Sequence, residues 1–395
     1  MHEGKYTKLA IELAAKALVS DSHPETGQGW VTQFEEDFAK FAGFKYAIAV
    51  NSGTSALHAA LIALRVGSGD EVISPALTVV MDAFSTIYVG ATPVFADVDP
   101  NTWNIDPDKV EELITVRTKA IISVSWFGLP ANAKRLQEIS EKYHIPIIDD
   151  SAETISLRGY EPPGVKSPDF RMFSFESKKH FSTGGEGGML VTNDDALAKA
   201  ARQASGLGYK HLSAGKGRTS LASSVFQNPN YERFDAIGYN YRMTPITAAI
   251  GIGQLSGIEN FLSSRIYAAH EFMLAAKECD WLVPQSEAQD GVPNSYYSIG
   301  FRFITEKANG KVWTDFYNLF TERGGHGFYS NCKNPYLEPV FYGKTMGKQN
   351  FLPGLAPTAE LLQSQIMAFK TNYLDSSIVD EQAKILSSVI DEFGR

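Results

Sequence analysis

The chain has 395 residues, more than a single hydrophobic core usually serves, which predicts roughly two or three domains and excludes a lone small module. Hydrophobic residues make up 44% and charged residues 21%, near globular averages, which excludes an intrinsically disordered chain and a coiled coil. The formal net charge of -9, from 36 Lys+Arg against 45 Asp+Glu, gives no general attraction to nucleic acid, although a local basic cluster could hold one phosphorylated ligand.

The opening MHEGKYTKLAIELAAKALVS carries Glu3 and Glu12 and lacks the apolar core and small-residue cleavage pattern of a secretory signal. The longest apolar runs, such as AIISVSWFG from Ala120 to Gly128, fall short of the ~20 residues that cross a bilayer. Two cysteines, Cys279 and Cys332, are too few for a disulfide framework or a structural zinc site. The expectation is a cytoplasmic protein with no metal and no membrane partner.

Between Lys45 and Asn193, seven short apolar runs recur: KYAIAV, EVISPAL, TPVFADVD, KAIISVSWF, IPIIDDSA, FRMFSFE and GGMLVTN. Runs apolar on both faces read as buried strands of a mostly parallel sheet. TSALHAALIAL (Thr54 to Leu64) and NAKRLQEISEKYH (Asn132 to His144) place apolar residues at helical spacing. This alternation predicts an α/β architecture with helices on both faces and ligand sites at the carboxyl ends of the strands.

From Asp194 to Leu262, helix-like segments surround the polar, Gly-rich stretch SGLGYKHLSAGKGRTSLASSVFQNPNYERFD; a loop that long is more often functional than idle. A long helix (Phe261 to Cys279), an alternating strand (Ser295 to Phe303), a helix near Lys311 to Arg323 and a closing helix (Val379 to Phe393) predict a smaller α+β domain over residues 261–395, after a large domain over 1–260. No repeat, low-complexity segment or Pro/Gly-rich linker separates the two.

Three segments carry chemistry. NSGTSALHAAL follows a strand and opens a helix at Asn51. Its free N–H groups and the hydroxyls of Ser52, Thr54 and Ser55 form either an anion cradle or an ordinary helix cap. Neither GxxxxGK[ST] nor GxGxxG occurs, which counts against a P-loop or a dinucleotide-binding turn. IPIIDDSAE ends a buried strand with Asp149 and Asp150; such an acid either caps the next turn or needs a cationic partner, for example a protonated pyridine nitrogen. FSFESKKHFSTGGEGGMLVTND brings Ser174, Lys178, Lys179 and His180 to a glycine-rich turn. A lysine beside an anion cradle and a lone acid is the layout of a pyridoxal phosphate enzyme.

Together with GYNYRMTPITAAIGIGQL (Gly238 to Leu255), these segments resemble the DegT/DnrJ/StrS family of pyridoxal-phosphate sugar aminotransferases over nearly all of residues 29 to 262. The resemblance implies pyridoxal phosphate fold-type I, which is like aspartate aminotransferase. It also implies transfer of an amino group from an amino acid, glutamate for preference, to a keto sugar carried on a nucleotide, in glycan or secondary-metabolite sugar synthesis. The family's lysine stands five positions after the serine of its SFxxxK pattern, which implies Lys179. Counting back from Glu186 would give His180, but an extra glycine fits more easily in the turn than in the strand. By the same resemblance Asp150 would hold the pyridine nitrogen and Glu153 would flank the ring. Gly53, Thr54, Ser55 and Ser174 would contact the phosphate, and Asn240 would reach the phosphate of a second subunit in a homodimer.

Two departures stand out. Val79 replaces the family's ring-stacking aromatic, and GGHGFYSNCKNPYLEPVF (Gly324 to Phe341) replaces a plainer segment, which points to an unusual substrate. The rival readings are a keto-sugar dehydratase, in which histidine replaces the lysine, and a non-catalytic regulator of the same fold.

Overall fold

A computed structural model describes residues 4–156, 159, 161–215, 222–287, 292–330 and 332–394. All seven apolar runs form strands: β1 (Tyr46–Val50), β2 (Glu71–Pro75), β3 (Thr92–Ala96), β4 (Thr118–Val124), β5 (Ile147–Asp150), β6 (Phe170–Ser174) and β7 (Gly188–Thr192). They make one sheet in the order β1-β7-β6-β5-β4-β2-β3. Only β7 runs against its neighbours; the other pairings are parallel. The sheet is therefore mostly parallel, and the carboxyl ends of β1, β2, β4, β5 and β6 share one edge.

Strand alternation divides the side chains between two covered faces. Ile48, Val50, Ile122, Ile148, Met172 and Leu190 pack with the helix Gly53–Ala63. Ala47, Ala49, Phe173, Met189 and Val191 pack with the helices Trp30–Ala42 and Pro245–Leu255. Farther along that second face, Ile73, Ile121 and Ile147 meet the helices Pro107–Leu113 and Ala133–Tyr143. Burial on both faces is why these strands read as unbroken apolar runs.

The carboxyl-terminal part has its own sheet. Strands β8 (Leu282–Pro284), β9 (Ser298–Phe303) and β10 (Tyr329–Ser330) precede a small hairpin, β11 (Thr345–Met346) and β12 (Gln349–Asn350), and then β13 (Ile366–Lys370). The sheet order is β10-β13-β9-β8, antiparallel throughout. The helices Ile258–Ala275, Trp313–Glu322 and Ser376–Phe393 cover it over a core that includes Trp281, Phe301, Phe316 and Phe369. In between, Tyr336, Phe341, Phe351 and Leu362 return to the apolar cluster of the large sheet.

The expected strand from Ser295 starts later, at Ser298. Ser295–Tyr297 are held instead by Gly128, Arg265 and Thr371, contacts a strand alternation does not foretell. Within the polar stretch after Ser205, residues 216–221 lie outside the described residues, as does residue 331 in the 324–341 segment. No helix among the described residues is long and apolar enough to cross a membrane.

Candidate active site

The shared carboxyl edge gathers most of the residues singled out above. Lys179 follows β6 through a turn, and its Nζ donates to Glu153 Oε1 across 3.4 Å. The same Nζ sits 4.6 Å from the centroid of the Tyr297 ring. Burial pulls the Lys179 pKa down, but the Glu153 carboxylate, Tyr297 and Asp150 outweigh it and hold the ammonium above its ordinary value. The neighbouring lysine differs in its side chain: Lys178 is exposed. His180 is buried, with Nε2 3.0 Å from the Ser295 carbonyl. Burial, with Arg265 adding, keeps its pKa well below the usual imidazole range.

Glu153 is fixed from its other side, since Phe127 N–H donates to Oε2 at 3.0 Å. Phe127 has φ 56°, a left-handed backbone that a bulky residue adopts only when its surroundings enforce it. Gly128, next along, has φ 98°, and a Cβ there would stand 2.7 Å from the Tyr296 nitrogen. The turn after β4 is thus docked against the loop that carries Tyr297.

Asp150 ends β5 and is 4% exposed. Its Oδ1 accepts from Ala152 N–H at 2.8 Å. Burial raises its pKa to about 6; the Ala152 N–H and Lys179 pull against that rise, and Asp149 and Glu153 add to it. Asp149 faces the opposite side of the sheet, where Arg171, its register partner on β6, donates to Oδ2 from Nε at 2.8 Å and Nη2 at 2.7 Å.

The cradle takes the form of a capped helix. Ser52 Oγ accepts from Ser55 N–H at 3.1 Å, and Ser55 Oγ donates to Asn51 Oδ1 at 2.6 Å, so the Ser55 hydroxyl is spent on the turn. The first N–H groups of the helix, on Gly53 and Thr54, have no partner inside the helix. Gly53 is required by proximity: a Cβ there would meet Ser174 Cβ and Met172 Cε, both at 3.0 Å. Thr54, Ser174 and Val79 are half-buried. Asn240 is exposed, and its Oδ1 accepts from Arg242 Nε at 2.9 Å.

Arg265 and Tyr297 were not foreseen. Arg265, 4% exposed, donates from Nη2 to the carbonyls of Lys178 and Lys179, each at 3.2 Å, and from Nη1 to Tyr297 O at 2.7 Å. Burial lowers its pKa to about 10, still far above neutrality. It pins the Lys179 backbone to the helix Ile258–Ala275, 86 residues away in the chain.

This donor set fits pyridoxal phosphate: an enclosed amine, a buried acid for the ring nitrogen, and free helix N–H groups where Gly53 lets the helix start approach Ser174. Among the described residues, no cluster of three or more His, Cys, Asp or Glu side chains is placed to hold a metal ion.

Comparison with known proteins agrees with this layout. The model of the DegT/DnrJ/EryC1/StrS aminotransferase family matches residues 8–323. GDP-perosamine synthase from Caulobacter vibrioides is 40% identical over 237 residues, 60% of this chain and 59% of that protein. UDP-2-acetamido-2-deoxy-3-oxo-D-glucuronate aminotransferase from Pseudomonas aeruginosa is 36% identical over 63% of this chain and 64% of its own length. The chain thus spans under two thirds of the length of these relatives. An aminotransferase structure from Psychrobacter cryohalolentis superposes with a TM-score of 0.86 at 26% identity, covering 99% of this chain and 98% of that one.

Proposed function

The chain belongs to the DegT/DnrJ/EryC1/StrS aminotransferase family, and from that premise we propose that it is a pyridoxal-phosphate-dependent aminotransferase that moves an amino group from an amino acid, glutamate for preference, to the keto group of a nucleotide-linked sugar. The observation that carries this reading is the enclosed amine of Lys179 beside the carboxylates of Glu153 and Asp150. When bound, the cofactor supplies an aldehyde for amine exchange and a protonated ring that draws electrons from the reacting carbon.

The chain's own residues do the rest. Lys179 would be the proton carrier at the reacting carbon, with Glu153 Oε1, 3.4 Å from its Nζ, orienting the amine. Asp150, as the carboxylate, keeps the ring nitrogen protonated. The Gly53 and Thr54 N–H groups and the Ser174 hydroxyl would take the phosphate, and Val79 would supply an aliphatic contact to the ring. Arg265 fixes the lysine's backbone and so its reach. That His180 turns to Ser295 O while Lys179 turns to Glu153 favours amine transfer over dehydration.

The same reading includes a cytoplasmic homodimer, with Asn240 reaching the partner's phosphate, and a division into a large part over 1–260 and a small part over 261–395. It is tested by adding glutamate to the purified yellow protein. The lysine-linked colour should bleach, and a panel of keto sugar nucleotides should restore it, the effective member naming the substrate. A protein that binds the cofactor but never bleaches with any amino acid would end the aminotransferase reading.

A further inference from the structure

Three buried acids stand outside the site motifs; Glu35 and Glu71 are paired with Arg202 and Arg117, and the third is not paired with a cation among the described residues. Asp82 lies in the first turn of the helix Met81–Tyr88, just beyond Val79 at the same sheet edge, and its exposure is 0%. An ionised carboxylate so enclosed needs cations or several donors. Among the described residues Asp82 has one donor, the Thr78 hydroxyl, whose Oγ1 is 3.0 Å from Oδ2. Its Oδ1 is buried with no hydrogen-bond donor among the described residues. What lies within hydrogen-bond reach is a second carboxyl, that of Asp150.

Two buried carboxyls in contact cannot both be charged, so the pair holds a proton. Its location follows from the other partners. Asp150 receives the Ala152 N–H and feels the Lys179 ammonium, both of which favour its anion, even against the nearby carboxylates of Asp149 and Glu153. Asp82 has neither; burial, then Asp150, drives its pKa well above the carboxylate range. Because Thr78 already donates to Oδ2, the oxygen left for the proton is Oδ1, the one without a partner.

We propose that Asp82 is a neutral carboxylic acid that donates its Oδ1–H to the Asp150 carboxylate, and is thereby the positioning residue for the ring-nitrogen acid. The donated bond holds the Asp150 carboxylate in one orientation and lowers its affinity for a proton. Asp150 thus stays an anion at neutral pH despite its burial. The proton on Asp82 is independent of the proposed function; the consequence for cofactor binding rests on it.

Asp82→Asn keeps a neutral donor of nearly the same shape, and Asp82→Ala removes it. The first measurement uses the cofactor-free protein at about pH 8, where ordinary carboxyls are ionised. Its infrared spectrum should show a protonated-carboxyl band that shifts in D2O and disappears in Asp82→Asn. A spectrum unchanged by that substitution would overturn the proposal. The second is a pyridoxal phosphate titration followed by absorbance. Asp82→Ala should weaken binding about tenfold, the loss of one hydrogen bond to a charged group, and Asp82→Asn should restore it to within about twofold. Equal losses in both variants would mean that Asp82 acts as a charge, against the proposal. Wild-type protein that binds no cofactor would end the functional reading while leaving the infrared result to decide the state of Asp82.

Discussion

Lys178 and Lys179 are chain neighbours with opposite surroundings, one exposed and the other enclosed by Glu153 and Tyr297. Lys179→Ala should therefore abolish both turnover and the lysine-linked colour, whereas Lys178→Ala keeps both; borohydride trapping and peptide mapping would expose the opposite assignment. Asp149 and Asp150 divide in the same way. Asp150→Asn should lower turnover by orders of magnitude with the fold intact. Asp149→Asn should instead act on stability, because it weakens the partner of a buried guanidinium, Arg171, that keeps Glu161 as its other counter-charge. The expected loss is about 1–3 kcal/mol in denaturant unfolding, with turnover per folded molecule unchanged; a reversed pattern would misplace the two acids. His180 adds a pH dependence. Its folded pKa lies below the unfolded value of about 6.5, so the unfolded chain binds the proton more readily. Stability from this group is complete above about pH 6.5 and falls as pH drops toward the folded pKa, by up to ~1.4 kcal/mol per pH unit. His180→Gln should flatten that acid limb in a series of unfolding curves, and identical limbs would refute the assignment.

At the scale of elements, the large sheet ends at β3, and the hairpin of β11 and β12 closes that edge with a side chain. Gln349 Nε2 donates to Phe95 O, and Phe95 N–H donates to Gln349 Oε1, each at 2.8 Å, so one carboxamide replaces a missing strand. Gln349→Met keeps the volume but strands two backbone groups, which should cost about 2 kcal/mol; an unchanged denaturation midpoint would show that water reaches the edge. This contact joins residues 254 apart in sequence, and nothing near Gln349 announces it. The strands themselves were legible because burial on both faces leaves a continuous apolar signature. The helix opening at Gly53 was equally plain, with Ser52 and Ser55 three residues apart in the chain, but the residues alone leave open whether its turn is a cap or an anion cradle. That Asp150 and not Asp149 faces the Gly53–Ala63 helix was readable only through resemblance; alternation separates the two acids but does not say which face carries the site. Asp82 did leave a local trace, an acid within the apolar run LTVVMDAF. Arg265 and Tyr297 left none: their contacts with Lys179 arise only when the carboxyl-terminal sheet closes against the turn after β6.

Across the whole molecule, the site in one chain leaves Asn240 unemployed. It is exposed, turned to Arg242, and follows in the chain on exposed apolar residues, Phe234 (56%), Ile237 (89%) and Tyr239 (39%). Such a surface suits the proposed two-fold assembly, which would bury it twice. In the proposed dimer each Asn240 serves the partner's phosphate, and cofactor binding and association then strengthen each other because one ligand is held by both chains. Complementation tests this directly. An Asn240→Asp chain, whose new carboxylate repels the phosphate, and a Lys179→Ala chain should each be inactive alone. In a mixed dimer one site collects both defects, and the other combines the Lys179 of one chain with the Asn240 of its partner. Activity should then reappear, up to about a quarter of the wild-type level when the two chains are mixed equally, since random pairing places half of the chains' dimers in the mixed form with one working site in two. Verified subunit exchange without recovery would mean that each site is complete within one chain.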